Sequence, residues 1–354
     1  MSKNEKTINK EVLIEEFEDK SLGLVKEGFN EKENVYVHIT SRKKSSSKYV
    51  SGGVLDNEQA NNWKAWLYLA PVLILMAIFL VYPLINTIAI SFMSNYNYVK
   101  GTFDGFTLDN FGAILGLSTI NGVTETRILD YALPNTFFML ITVPISIAIA
   151  LLISVLLNSL KWLQKVFQIV FFLPYVTNAI AIGMVFSVIF DKQGVINDIF
   201  NLTDFAWIYG ADRWVAMIPL CLYIVWSALP FKILILLSGL QGVDKQYYQA
   251  AKIDATPKWK VLMKITVPAL SPQILYLMVT SFIGAFKEYS SIVAMFNGPG
   301  TTNGSYNMYT IVYYIYDNLN SNTSLAAAAA VLLFAIILVF TFLQLYLSKK
   351  KVHY

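Results

Sequence analysis

Six uncharged stretches, at residues 65–99, 131–160, 166–190, 214–231, 265–286 and 318–348, divide this chain of 354 residues. A helix crossing a bilayer needs ~20 mostly apolar residues, and each stretch has room for them. The fourth meets Lys232 and then resumes through Gly242. Hydrocarbon holds no water to satisfy a free N–H or C=O, so helices are the natural way to cross it. An all-α, polytopic membrane protein with six transmembrane helices is therefore expected. The charged fraction agrees: 14% of the chain, against about 25% in an ordinary soluble domain.

Lysine and arginine set the orientation, because they collect in cytoplasmic segments. Segments 1–64, 158–165, 241–267 and 348–354 hold 21 of them, and the intervening loops 93–130, 191–213 and 297–324 hold 4. Discounting the long first segment leaves 10 against 4. Both termini are expected inside (N-in/C-in). The net charge of +4 then reflects topology and says nothing of nucleic acid. One cysteine, Cys221, excludes an intrachain disulfide, and two histidines near the ends, His38 and His353, offer no metal cluster. No cleavable leader is visible, because the first apolar run is too long and too late.

Residues 1–60 carry 10 basic and 11 acidic side chains with weak apolar periodicity. They are expected to be a polar cytoplasmic extension, mostly disordered, with room for a short amphipathic helix around Val12 to Val25. The stretch from Ser41 to Ser51 suits a flexible basic linker. Residues 61–348 form the transmembrane domain, and 349–354 a basic tail.

Between the fourth and fifth apolar runs the chain reads YYQAAKIDATPKWKVLMKITVPALSP, Tyr247 to Pro272. Lys245, Lys252, Lys258, Lys260 and Lys264 keep this stretch out of hydrocarbon. A connection between spans needs only a few residues, so segment 241–267 has length to spare for binding a partner. It is expected to form helix, turn, helix, with Thr256 as N-cap and Pro257 at the first helical position. Trp259, Leu262, Met263 and Thr266 then fall on one side. Ala250 and Ala251 leave little bulk, so another surface can approach the backbone there.

The same residues resemble the EAA loop of binding-protein-dependent ABC transporter permeases: Glu-Ala-Ala, three residues, Gly, then a run ending in Ile-x-Leu-Pro. Here Gln249, Ala250 and Ala251 are followed by Asp254 and Ala255, then by Ile265-Thr266-Val267-Pro268. Gln249 stands for the family's Glu and keeps a hydrogen-bonding side chain. Ala255 stands for its Gly. Positive φ is costly for alanine, so the turn is expected to shift to Thr256-Pro257. Further stretches resemble the family in order: Tyr82-Pro83 with Ser91-Phe92, Phe172-Leu173-Pro174 through Gly194 and Asn197, and Asn297-Gly298-Pro299-Gly300-Thr301. The resemblance covers roughly residues 63–347 and points to the carbohydrate-importing branch. It implies the ABC importer permease fold in a bacterial cell membrane. The implied partners are a second homologous permease, two cytoplasmic ABC ATPases and an extracellular or periplasmic solute-binding protein. It also implies that Tyr248, Gln249, Ala250, Ala251, Asp254, Ala255, Trp259, Ile265 and Pro268 form the ATPase-coupling loop, a rigid lever between ATP hydrolysis and the solute cavity.

Candidate solute-path residues lie in and beside the spans. Pro174 interrupts the third between Phe172 and Tyr175, with Asn178 a turn later, and proline at membrane depth exposes a carbonyl to repair. Lys232 lies about 18 residues from the outer end of the fourth span, or ~27 Å at helical rise, and is expected to snorkel to the inner headgroups. Lys287 and Glu288 end the fifth span. Neighbours on a helix point about 100° apart, so one can face a solute path and the other a neighbouring helix, or both can mark the boundary. The last outer loop, from Asn297, is rich in Asn, Gly, Ser and Tyr, suited to sugar faces, to an interface belt or to protein docking.

No Gly-x-x-x-x-Gly-Lys-Ser/Thr run is present, so ATP hydrolysis is expected in separate subunits and the chain is not itself an enzyme. No cofactor is implied. Against carbohydrate stand a permease of the same superfamily for another solute, such as glycerol 3-phosphate, and an ATP-independent secondary carrier. The carrier reading would want embedded acids and internal repeats, and Glu288 is the one acid near a span interior. A non-transporting scaffold would leave the pattern from Gln249 to Pro268 without a reason.

Overall fold

The computed structural model describes residues 28–30, 35–37, 62–120, 123–159, 166, 169–170, 175, 177–300 and 307–348. The expected helix around Val12 to Val25, the basic linker and the basic tail lie outside them. Contacts divide the chain into two units, Met1–Tyr82 and Pro83–Tyr354.

In the first unit, β1 (Gly28–Asn30) pairs antiparallel with β2 (Val35–Val37). Helix α1 (Asn62–Met76) tolerates Pro71 and continues into a five-residue π turn, Ala77–Val81. Large apolar side chains from Trp66 to Tyr82 stay exposed, a surface suited to lipid rather than water.

The second unit opens with α2 (Tyr82–Ser91), then a connection with two short hairpins. Next come α3 (Leu133–Met139), α4 (Thr142–Ser159), α5 (Ala179–Ile189), α6 (Arg213–Gly242), α7 (Lys245–Ile253) and α8 (Lys258–Val261). The chain ends with α9 (Ser271–Phe286), α10 (Ser290–Phe296), α11 (Ile311–Asn318) and α12 (Thr323–Ser348). Helix α6 lies along α4. Leu236, Leu237 and Leu240 pack there with Val143, Ile147 and Leu277 of the neighbouring helices. Ser154 Oγ lies 3.2 Å from the Ile233 carbonyl, a cross-helix contact in the same seam. The other two cores join α5, α6 and α10, and α11 and α12 with the start of α3.

Among the described residues, four helical runs are long and apolar enough to cross a membrane: Lys64–Ser91, Ile128–Ser159, Arg213–Gly242 and Thr323–Ser348. A fifth is broken, with Lys258–Ala269 and Ser271–Phe286 meeting at 71°. The third apolar stretch yields, among the described residues, only the 11-residue α5, about 16 Å long at helical rise. Asn178 begins it by accepting the Ile180 N–H at 2.9 Å.

Prolines explain three local departures from the regular helix. π turns at Ala77–Val81, Ile128–Ala132 and Leu262–Thr266 each end two residues before a proline, Pro83, Pro134 and Pro268. Proline has no N–H for the carbonyl four residues back. In each case the residue just before the proline bonds five residues back instead: Tyr82 to Ala77, Leu133 to Ile128, Val267 to Leu262. The helix widens by one residue and continues.

Candidate functional site

Two places carry residues that the fold alone does not explain: the polar loop between α6 and α9, and a cavity among α4, α6 and α9.

The loop is built from α7 outward. Asp244 caps it, Oδ1 accepting the Gln246 N–H at 2.9 Å. Its far end closes with the Thr256 N–H on the Ala251 carbonyl at 2.9 Å and the Ala255 N–H on the Lys252 carbonyl at 3.1 Å. This double closure needs a left-handed residue, commonly glycine. Ala255 takes that role at φ +48°. The expected shift of the turn to Thr256-Pro257 therefore does not occur, because two backbone hydrogen bonds offset the strain on one alanine. Thr256 is not an N-cap either. Pro257 holds that position before α8 and makes no side-chain cap.

Ala251 is buried, and the Tyr248 hydroxyl lies 3.3 Å from Thr266 Oγ1, tying α7 to the π turn that leads into α9. Ile265 and Pro268 are half-buried at that joint. Gln249, Ala250, Ile253, Asp254 and Trp259 remain exposed, Ile253 at 85% and Trp259 at 62%. Such large apolar groups on an otherwise charged loop form a surface fit for a partner. Beneath it a cavity of about 550 Å³ separates the ends of α6 and α9, with Gly239, Gly242, Tyr247 and Gln273 on its walls.

The second cavity measures about 330 Å³, the low end of the range for small-molecule sites. Thr142 and Ser146 of α4 face it, with Ser227, Phe231 and Lys232 of α6, Thr280 and Ser281 of α9, and Glu288 beyond it. The Tyr175 and Phe231 rings stack at 5.9 Å and 17°, making an apolar wall. Lys232 is 4% exposed, and its Nζ donates to Ser146 Oγ. It does not snorkel to the headgroups: a hydroxyl on the adjacent helix and an opening into the cavity hold the ammonium inside.

Of the solute-path candidates, Tyr175 and Glu288 meet in this cavity. Asn178 instead caps α5, and Lys287 is exposed at the end of α9. Asn297 is exposed at φ +53°, closing α10. Phe172 lies outside the described residues. Lys232 was read from sequence as a headgroup residue rather than a path residue, and the hydroxyls around it were not among the sequence candidates. Their signal was present as Thr142 and Ser146 four apart on one helix face, but no pairing of α4 with α6 could be read from it.

Asn307 and Tyr309, between α10 and α11, dock on the start of α3. Asn135 is fully buried, and its Nδ2 donates to the Asn307 and Tyr309 carbonyls at 2.8 and 2.9 Å. Arg127 bridges Glu125 at 2.7 Å and Asp317 at 3.2 Å. The Tyr309 hydroxyl donates to Asp317 at 2.6 Å. Burial first, then this bond to the carboxylate, pushes the Tyr309 hydroxyl up to about 12.

A bundle of apolar helices with a polar cavity and a capped, exposed loop is an arrangement suited to a membrane transport subunit. The chain belongs to the family of binding-protein-dependent transport system inner membrane components, whose model matches residues 142–353. It is 26% identical over 294 residues to the lactose transport system permease protein LacF of Rhizobium radiobacter, covering 81% of this chain and 94% of that protein. It is also 26% identical over 293 residues to the sn-glycerol-3-phosphate transport system permease protein UgpA of Brucella abortus, covering 82% and 96%. Among solved structures, a bacterial ABC transporter involved in import of the acidic polysaccharide alginate has a chain of the same fold. The TM-score is 0.67 at 18% identity, covering 84% of this chain and 98% of that one.

Proposed function

We propose that this chain is the membrane-spanning permease subunit of an ATP-driven importer in the bacterial plasma membrane, passing a carbohydrate received from an external solute-binding protein. It has six spans, counting the broken fifth and the stretch around Pro174, with both ends and the loop 241–267 in the cytoplasm. The lysine distribution supports that orientation. Residues 1–60 form a cytoplasmic extension, and 349–354 a basic tail. Its partners are a second homologous permease and two ATPases, each seated on one permease's loop.

The observation that carries this reading is α7. Capped at both ends and tied through Tyr248 and Thr266 to the π turn that precedes the bend into α9, it is placed to pass a shift on to the helix that lines the cavity. Gln249, Ala250, Ile253 and Trp259 give a partner something to hold. When ATP closes the ATPases, the loop shifts and biases the spans toward the outward-open state; hydrolysis returns them. This is a two-state equilibrium driven by differential contacts at a distant site. The sugar relative LacF supports a carbohydrate as solute, and UgpA supports glycerol 3-phosphate as the second reading.

The test is uptake of labelled sugars by proteoliposomes holding the complete complex with its binding protein outside. Uptake should require ATP on the loop side. Uptake driven by an ion gradient without ATP would make the chain a secondary carrier and sink the proposal.

A further inference from the structure

The cavity of Lys232 has an uneven hydrogen-bonding inventory. Thr142 Oγ1 donates to the Met139 carbonyl at 2.7 Å, Ser227 Oγ to Ile224 at 3.0 Å and Thr280 Oγ1 to Tyr276 at 2.8 Å. Ser146 Oγ donates to Thr142 O at 2.6 Å. Each of these four protons is thus engaged on a backbone carbonyl nearby in sequence, which leaves lone pairs for the cavity: these groups accept, while the Ser281 hydroxyl can also donate. Glu288 accepts as well, and one of its oxygens, Oε1, already takes the Ser291 N–H at 3.2 Å.

Lys232 is the cationic donor in this lining. It has three donors, and Ser146 takes one. Among the described residues no carboxylate lies within ion-pair distance of this ammonium. A buried charge without a counter-charge is expensive, and at membrane depth it usually marks a functional path. The hydroxyl lone pairs match the hydroxyl protons of a polyol. The ammonium calls for an anionic acceptor, with which it makes a stronger, charge-assisted bond.

We propose that this cavity selects a polyhydroxylated solute bearing one anionic group, a phosphate or carboxylate, and that Lys232 is the side chain that holds the anion. The proposal rests on the transport reading above and narrows its solute class. Tyr175 and Phe231 supply the apolar wall, and the hydroxyls of α4, α6 and α9 receive the solute's O–H groups.

The experiment measures the thermal midpoint of the purified complex against added solute in two matched pairs: glycerol with sn-glycerol 3-phosphate, and glucose with glucuronate. In the wild type, the anionic member should raise the midpoint at a concentration roughly tenfold or more below its neutral partner. Lys232→Gln should erase that difference, Lys232→Arg should keep it, and Glu288→Gln should leave it equal or larger. Equal response to charged and neutral members in the wild type would overturn the proposal, as would an undiminished preference in Lys232→Gln. If Lys232→Gln does not assemble, the wild-type pairs and Glu288→Gln decide, and a preference lost with Glu288 overturns the assignment. ATP-driven uptake of the anionic solute at an unchanged rate in Lys232→Gln would defeat this proposal and leave the transport reading standing. A charge-selective response without any ATP-driven uptake would do the reverse.

Discussion

Ala255 sits at φ +48° where a glycine would sit freely, and it stays there because α7 has two backbone hydrogen bonds to close. A left-handed alanine costs about 1–2 kcal/mol. Ala255→Gly should therefore raise the thermal midpoint of the complex modestly, by the equivalent of up to about 1 kcal/mol after the entropy of the unfolded glycine is set against it. Ala255→Val should lower it. The neighbouring alanines separate structure from coupling. Ala250 is exposed and Ala251 is buried. Ala250→Trp should leave the protein in the membrane at a near-normal midpoint and abolish ATP-driven uptake in proteoliposomes. Ala251→Leu should overpack the joint by about 1–3 kcal/mol, which the midpoint reads directly. Normal uptake by Ala250→Trp would count heavily against the lever. The register of Gln249, Ala250 and Ala251 was legible in the chain because it depends on a local run. The conformation of Ala255 was not, because propensity alone argues against it and only the hydrogen bonds of the closed helix end reverse that preference.

Elements show the same division. Four of the six apolar runs announced long helices and a fifth a broken one, and loop 241–267 its helix, turn and helix. Breaks were harder to place. The prolines in the sequence gave warning of disturbed helices, but whether each produces a kink or a π turn depends on how its freed carbonyl is handled. At Pro83, Pro134 and Pro268 the helix continues through a π turn, whereas the sharp 71° bend falls at Leu270, after the last of them. Close packing of short helices was invisible from sequence. A Cβ on Gly183 of α5 would lie 2.3 Å from the Ala294 Cβ of α10 and 3.0 Å from its backbone carbon. No rotamer relieves a clash with backbone, so the two helices would have to separate. Gly183→Leu should destabilise the complex by about 1–3 kcal/mol, measured as a fall in thermal midpoint. An unchanged midpoint would mean that α5 and α10 do not touch as described.

In the second unit, Pro83–Tyr354, loop and cavity are joined by one continuous piece of chain: α7, the π turn before Pro268, and α9. In the proposed lever, force applied at Gln249 would reach Thr280 and Ser281 through it. The loop was readable from sequence because its parts are adjacent. The cavity was not, because it takes Ser146, Lys232 and Glu288 from separate helices. Linear distance to the span ends placed Lys232 among the headgroups, while packing of α6 on α4 places it inside. The sidedness of the loop is what the whole account depends on, and cysteine labelling in cells tests it directly. In a Cys221→Ser background, Lys252→Cys should react with a membrane-impermeant maleimide only after the cells are permeabilised. Labelling of Lys252→Cys in intact cells would put the loop outside, beyond the reach of any ATPase, and contradict the account.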